Sequence, residues 1–351
     1  MNMWRQTWIL GIISMLIMAG CSNGTSQADD QRSLTDKPYE ETEFLLGTVV
    51  TVKIYDEEKE AVLDKTFDRV RELEDKITMN EDGSEVNEIN QQAGKQPVPV
   101  SDDVYSVIEA GKNYSELADG SFDITIGPIT GLWNIGMDNA RKPTEEEIDQ
   151  VLPLVHYEQV ALDQADQSVL LQEANMLLDL GAIAKGYIAD EIVQLLEEQG
   201  VTTAIIDLGG NIYVLGDQPS GGQWTVGIQN PFMDRGETVG KLMTVNQSIV
   251  TSGIYERYLE VDGQRYHHLL DPKTGYPFDG ELASVSIISD DSIDGDALST
   301  ILFSKGLQAG MEFIEEFEGV EAIFITKDKE VYTTEGLVDQ FELTNEAFSL
   351  E

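Results

Sequence analysis

The sequence predicts an α+β fold in one compact unit, and three observations lead there. Strand-like runs rich in Val, Ile and Thr are intermixed with helix-like stretches, without the strict alternation of a doubly wound sheet. No linker divides Glu40 from Phe348, and no fixed-period repeat recurs. At 351 residues the chain is long enough to bury one large core or two modest ones.

The N-terminus reads differently from the rest. Arg5 and the free amine make a positive start, Trp8 to Met18 an apolar core, and Ala19-Gly20 a small-residue exit. That is the pattern of a secretory signal over residues 1–20, too short for a convincing spanning helix. Met18-Ala19-Gly20-Cys21 also resembles the bacterial lipobox, in which the cysteine becomes the lipidated first residue, with Met18 where leucine is usual. Residues 21–39 are polar and lack apolar periodicity, so they are expected to be a flexible tether before a domain at 40–348. Cys21 is the only cysteine, which leaves no partner for an intrachain disulfide.

Taken in order, Phe44 to Tyr55 predicts a strand, broken by Gly47. Leu63, Phe67, Val70, Leu73 and Ile77 recur at three- and four-residue steps, making Glu58 to Ile77 an amphipathic helix. Thr78-Met79-Asn80 and a loop from Glu81 to Ser84 follow. Ser101 is a good N-cap for a helix reaching about Leu117, with Val104, Val107, Ile108 and Tyr114 as its buried stripe. Between Gly120 and Pro128, Asp123 and Thr125 alternate with Phe122, Ile124 and Ile126, as in a short strand entering a turn. Polar Asn139 to Glu147 covers the surface, and Val160 to Leu178 suggests a strand pair.

The apolar run Met176-Leu177-Leu178 then enters Asp179-Leu180-Gly181-Ala182-Ile183-Ala184-Lys185-Gly186-Tyr187-Ile188-Ala189-Asp190, and a helix from Ile188 to Leu196 leaves it. Ala204 to Val214 is strand-like with a break at Gly209-Gly210, which permits a bulge or close backbone contact. Trp224 to Gln229, Lys241 to Val250, Tyr255 to Val261, Ala283 to Ile288 and Ala322 to Thr326 predict strands. Asp296 to Ser304 and Leu307 to Phe317 predict helices.

Charge narrows the function. With 22 basic and 65 acidic residues the net charge is −43, so a nucleic-acid backbone is repelled. An anionic ligand therefore needs a local countercharge: a lysine, a helix start or a divalent cation. The stretch from Asp179 to Asp190 offers one, since a helix start and Lys185 both suit phosphate. An ordinary turn with a solvated lysine is the alternative. His267-His268 precedes a Pro-Gly turn; if that segment is a strand, the two rings face opposite ways, and one is either a base or an ordinary strand histidine. Asp296 and Thr300 stand at i and i+4, so on a helix a carboxylate and a hydroxyl share one face, as Mg²⁺ would use. The plainer account has Asp296 capping that helix and Thr300 packing within it. Thr251-Ser252-Gly253 either holds a nucleophile or makes a turn between strands. The chain has no GxxxxGK[ST], CxxC, HExxH or GxSxG, which disfavours P-loop hydrolysis, zinc chemistry and a conventional esterase.

Taken together these segments resemble the ApbE flavin transferases (FAD:protein FMN transferase). Leu46-Gly47-Thr48 is similar to the family's early Met-Gly-Thr, with Leu46 in place of methionine. Gly120 to Pro128 with Trp133 resembles FDxTxGP…W, and Asp179 to Asp190 resembles DLGxIAKGYxxD. Leu208-Gly209-Gly210-Asn211, Thr251-Ser252-Gly253 with Tyr255 to Tyr258, His268 to Gly275, and Asp296 to Thr300 complete the set in order.

The resemblance implies helices mixed with a largely antiparallel sheet. It also implies a Mg²⁺-dependent enzyme that splits FAD and joins FMN by a phosphoester to a Ser or Thr of an acceptor flavoprotein, releasing AMP. Carried over by residue, Mg²⁺ falls to Ala182 (its carbonyl), Asp296 and Thr300. FAD falls to Leu46, Met79, Asn80, Gly120, Ser121, Phe122, Asp179, Lys185, Leu270 and Ser299, and His268 is the base. The loop at Met79 and Asn80 aligns poorly with some members. In some relatives this neighbourhood accompanies FAD hydrolysis, so an FAD pyrophosphatase is the near alternative and a flavin-binding lipoprotein without turnover the more distant one. With a lipid at Cys21, the protein is expected on the outer face of the cell membrane.

Overall fold

The computed structural model describes residues 33–351, so the signal segment, Cys21 and most of the expected tether lie outside the described residues. In chain order, β1 (Leu34–Leu45) and β2 (Thr48–Asp56) are followed by α1 (Ala61–Ile77), α2 (Glu85–Gln91), β3 (Val98–Pro99) and α3 (Asp102–Leu117). Next come α4 (Gly127–Trp133), α5 (Glu145–Val151), β4 (Val160–Asp163), β5 (Ser168–Leu171) and α6 (Ala184–Glu198). Then come β6 (Ala204–Leu208), β7 (Ile212–Leu215), β8 (Trp224–Gln229), β9 (Thr238–Thr244), β10 (Gln247–Gly253), β11 (Tyr258–Val261) and β12 (Gln264–His267). The chain closes with β13 (Leu282–Ser289), α7 (Ser292–Lys305), α8 (Leu307–Ile314), β14 (Glu321–Thr326), β15 (Glu330–Thr333), β16 (Phe341–Leu343) and β17 (Ser349–Leu350).

A nine-stranded sheet in the order β1-β2-β6-β7-β10-β13-β14-β15-β17 organises the molecule. Its pairings are antiparallel except β15 with β17. β13 sits inside it, and every one of its residues is buried. Val285 and Ile287 join the large core with Leu298, Ile301 and Leu302 of α7, whereas Ile288 joins Ile323 and Ile325 in a second core. That second core is closed by the β16-β9-β8 sheet, through Phe341, Leu242 and Val226. Helices therefore cover one face and a small sheet the other. A third cluster, with Trp133, Tyr266 and Leu270, holds α4 against the loop after β12.

Several boundaries differ from the sequence reading, each for a physical reason. β1 starts at Leu34, so residues 34–39, expected in the tether, belong to the folded body, with Tyr39 opposite Ile54. β1 is an edge strand whose inward Tyr39 and Leu45 are outnumbered by Glu40, Glu41 and Glu43, which hides the pattern. The break at Gly47 is a hairpin turn with Leu46 at φ 56° and Gly47 at φ 66°. Phe122 to Ile126 is not a strand. Asp123 Oδ1 accepts from the Thr125 N–H at 2.8 Å and its hydroxyl at 2.7 Å, a turn that feeds α4, with Pro128 at its start.

Lys241 to Val250 divides into β9 and β10 at Asn246, φ 52°. Thr251-Ser252-Gly253 makes no turn; it ends β10 in register with β13. The strand expected from Tyr255 begins at Tyr258, α6 begins at Ala184 instead of Ile188, and α7 begins at Ser292. Asp296 is therefore inside α7 and does not cap it. The short α2, capped by Ser84 through the Asn87 N–H at 3.0 Å, was not legible in the sequence.

Gly186 lets α6 and α7 approach. A Cβ there would lie 2.4 Å from the Ser292 carbonyl oxygen and 2.6 Å from Ile293 Cα, both backbone atoms that cannot swing aside. Gly186→Ala should cost about 1–3 kcal/mol or more, as overpacking does. Denaturant titration checks this, and an unchanged midpoint would mean that the helices separate freely.

Candidate functional site

The site is built where α6 begins. Asn90 holds the incoming chain at Leu178 from both sides, accepting its N–H at 2.6 Å and donating to its carbonyl at 3.1 Å. Asp179 then bridges two elements, with Oδ1 accepting the Gly181 N–H at 2.9 Å and Oδ2 the Thr130 hydroxyl at 2.7 Å. These contacts fix the turn that presents Gly181, Ala182 and Lys185.

Two helices cap each other across Gly186. Asp296 of α7 accepts the Gly186 N–H at 3.0 Å, near the start of α6. Asp190 of α6 accepts the Ser292 and Ile293 N–H groups at 2.7 and 2.8 Å, at the start of α7. Each carboxylate thus meets the positive end of the other helix. Burial pushes the Asp190 carboxyl up to about 7; its two N–H donors pull the other way, and Asp291 and Asp294 add to the rise. Because the Gly186 N–H goes to Asp296, it does not close the usual bond to the carbonyl of Ala182 four residues back. That carbonyl is left for another partner.

Lys185 completes the pair. Its Nζ lies 2.9 Å from Asp296 Oδ1 and 3.3 Å from Oδ2. The lysine side chain is 30% exposed and the aspartate 5%, so the carboxylate is set in the wall while the ammonium reaches outward. One turn on, Thr300 and Ser299 both meet Ser252, at 3.4 and 2.8 Å between hydroxyl oxygens. Ser299 is fully buried and also donates to the Asp296 carbonyl at 2.9 Å, so it is in contact with the α7 backbone and β10. The sequence offered Ser252 as a nucleophile or a turn residue, whereas the structure makes it the hydroxyl of β10 that meets Ser299 and Thr300.

His268 follows β12. Its Nδ1 is 3.2 Å from the Arg257 carbonyl, which is satisfied when Nδ1 carries the hydrogen and Nε2 the free lone pair. Burial is the main cause that lowers its pKa to about 4; Arg257, His267 and Lys185 lower it further against the pull of the Arg257 carbonyl. The ring is neutral at pH 7. The two histidines are held by different partners: His267 Nε2 is 3.0 Å from the Phe278 carbonyl, and its ring packs edge-on to Phe303.

The other sequence-predicted residues are spread around this centre. Leu46 donates its N–H to Glu74 Oε1 at 2.6 Å, and the adjacent Gly47 carbonyl accepts from Arg257 Nη2 at 3.3 Å. Ser121 accepts from Ser304, at the far end of α7, at 2.9 Å. Gly120 stands in a left-handed turn at φ 70° beside Tyr157. Phe122 and Leu270 are buried, in the large core and the third cluster respectively. Met79 is half-buried on the large core, its carbonyl accepting from Asn87 at 3.1 Å, and Asn80 is exposed. No hydrogen bond ties those two to the Lys185–Asp296 pair.

His267 is expected to make the molecule acid-sensitive. It is 9% exposed, and its Nδ1 has no partner. Burial lowers its pKa to about 4, against about 6.5 in an unfolded chain. Between those values the unfolded chain binds more protons, so stability is lost as pH falls from about 6.5 to about 4, by up to about 3 kcal/mol. His267→Phe should make that part of a stability–pH curve measured by urea denaturation shallower, with His268, also lowered to about 4, supplying the remaining slope; an unchanged slope would exclude His267 as a source.

A model of the ApbE family matches residues 46–324. An FAD:protein FMN transferase of Klebsiella pneumoniae is 42% identical, over 84% of this chain and 92% of its own. One from Treponema pallidum is 36% identical over 98% of each. Among solved structures, the ApbE protein of Thermotoga maritima aligns with a TM-score of 0.78 at 31% identity, covering 86% of this chain and 98% of its own. The flavin transferase ApbE of Vibrio cholerae gives 0.74 at 25% identity, covering 89% and 98%.

Proposed function

The chain belongs to the ApbE family, and from that footing we propose that it cleaves FAD at the pyrophosphate and transfers FMN to a Ser or Thr of an extracytoplasmic flavoprotein. It is an enzyme of flavin transfer, with FAD as substrate. The observation that carries the reading is the Lys185–Asp296 pair at the start of α6 beside an unpartnered Ala182 carbonyl, with a neutral His268 near enough for Lys185 to lower its pKa.

In the proposed reaction the acceptor hydroxyl gives its proton to His268 Nε2 as its oxygen bonds to the FMN phosphorus. The bond from that phosphorus to the bridging oxygen breaks, and AMP leaves with the oxygen. Lys185 contributes positive charge for the phosphates in a strongly acidic chain. Leu46 and Met79 offer apolar contacts to rings. Most of the rate would come from positioning and charge, since phosphoryl transfer asks for little covalent chemistry from the protein.

Asp296, Thr300 and the Ala182 carbonyl fit Mg²⁺: all are hard oxygens, the carbonyl lacks its helical partner, and the carboxylate already holds a cation. Bound there, Mg²⁺ would offset the charge of the pyrophosphate. Cys21 is the proposed lipid site that keeps the protein at the outer face of the cell membrane.

AMP release by the full chain, with FAD and Mg²⁺, tests the reading. It should require an acceptor protein and match labelled acceptor one to one. AMP formed at the same rate without acceptor would make the activity FAD hydrolysis.

A further inference from the structure

Arg257 has no ion-pair partner among the described residues, although the chain carries 65 acidic residues. Its neighbour Glu256 is paired instead with Arg235, at 3.0 Å. The Arg257 guanidinium is exposed and held by backbone alone. Nη2 donates to the Gly47 carbonyl at 3.3 Å, and a Cβ on Gly136 would lie 3.0 Å from Arg257 Cδ, so the stem is packed along the chain there. Meanwhile the Arg257 carbonyl holds His268 Nδ1. One residue thus fixes the base through its backbone and places a cation between that base and the turn at Leu46-Gly47.

A planar fork with free N–H groups, and no carboxylate to occupy it, is suited to phosphate oxygens. We propose that Arg257 is a second catalytic cation of the transfer, contacting the migrating phosphoryl group beside the base. The assignment rests on the flavin-transfer reading. As the acceptor oxygen bonds to phosphorus and the AMP oxygen departs, negative charge spreads over the phosphoryl oxygens. A fixed guanidinium beside the base stabilises that charge more than it stabilises bound FAD.

The test compares the full-length wild type with Arg257→Ala and Arg257→Lys, using FAD, Mg²⁺ and an acceptor protein. Arg257→Ala should lower kcat for transfer by about 10²-fold, the usual cost of losing one such donor. FAD affinity, read from flavin fluorescence quenching, should change less than about threefold, as expected for a contact made chiefly in the transition state. Arg257→Lys should recover only part of the rate, because an ammonium lacks the fork. Removing the guanidinium also removes a positive neighbour of His268, so the acid limb of the pH–rate profile should move to higher pH in Arg257→Ala and stay in Arg257→Lys. That shift reports the guanidinium beside the base, whereas a fall in kcat with FAD affinity kept reports its contact with the phosphoryl group. Arg257→Ala with kcat near wild type, or with the loss confined to FAD affinity, overturns the assignment. Wild-type labelling of the acceptor is scored separately, so failure of the transfer reading itself is distinguishable.

Discussion

Asp296→Ala should reduce FMN transfer to background, at least about 10³-fold, because three roles end together. The carboxylate accepts the Gly186 N–H, pairs with Lys185 and faces the same side as Thr300. Without it the Gly186 N–H and a partly buried ammonium lose their partner, which should cost about 1–3 kcal/mol of stability. Any Mg²⁺ would lose its only carboxylate against an anionic substrate. Asp296→Asn separates these effects: an amide oxygen can still accept the Gly186 N–H, but it carries no charge. We expect Asn to restore most of the melting temperature and little of the rate. Transfer kinetics and thermal melts on both variants check this; a rate that recovers with stability in Asn would confine Asp296 to holding α6 against α7.

His268→Ala should leave FAD affinity within about threefold and slow transfer by about 10²–10⁴-fold, the range for a general base. An imidazole with a pKa near 4 is a weak base, but its setting changes when substrate binds. Burial and the positive neighbours Arg257 and Lys185 depress it, and the phosphates of FAD bring negative charge beside it. Its pKa should therefore rise toward the ordinary histidine range in the FAD complex. The acid limb of kcat should then lie at higher pH than the acid limb of kcat/KM, since the first reports the complex and the second the free enzyme. Equal loss of FAD binding and turnover in His268→Ala would give the ring a structural role instead.

How much of this was legible in the sequence depends on where each residue's partner lies. The stripes of α1 and α3 face one core, so the spacing of Phe67, Val70 and Leu73, or Val104 and Ile108, reveals them directly. Phe122 to Ile126 imitated a strand because its alternation is local, whereas its turn is imposed partly from afar: Asp123 accepts the Tyr157 N–H, and Thr125 the His156 N–H. β1 was hidden by the glutamates of an edge strand. At the site, the residue types were readable from Lys185, His268 and Asp296, and their order supported the family. The pairings were not. Lys185 and Asp296 are 111 positions apart, and Asp190 meets Ser292 across 102, distances over which no spacing rule reaches. Ser252 looked like part of a turn because its role depends on β10 lying alongside α7.

In the proposed reaction FMN leaves FAD for a protein hydroxyl. Incubating the full chain with FAD, Mg²⁺ and an acceptor, then denaturing and separating the proteins, reads this directly as flavin fluorescence in the gel. Fluorescence is expected on the acceptor band, surviving denaturation, disappearing when the acceptor's target Ser or Thr is replaced by Ala, and absent with Asp296→Ala enzyme. Free FMN and AMP with a dark acceptor band would contradict it.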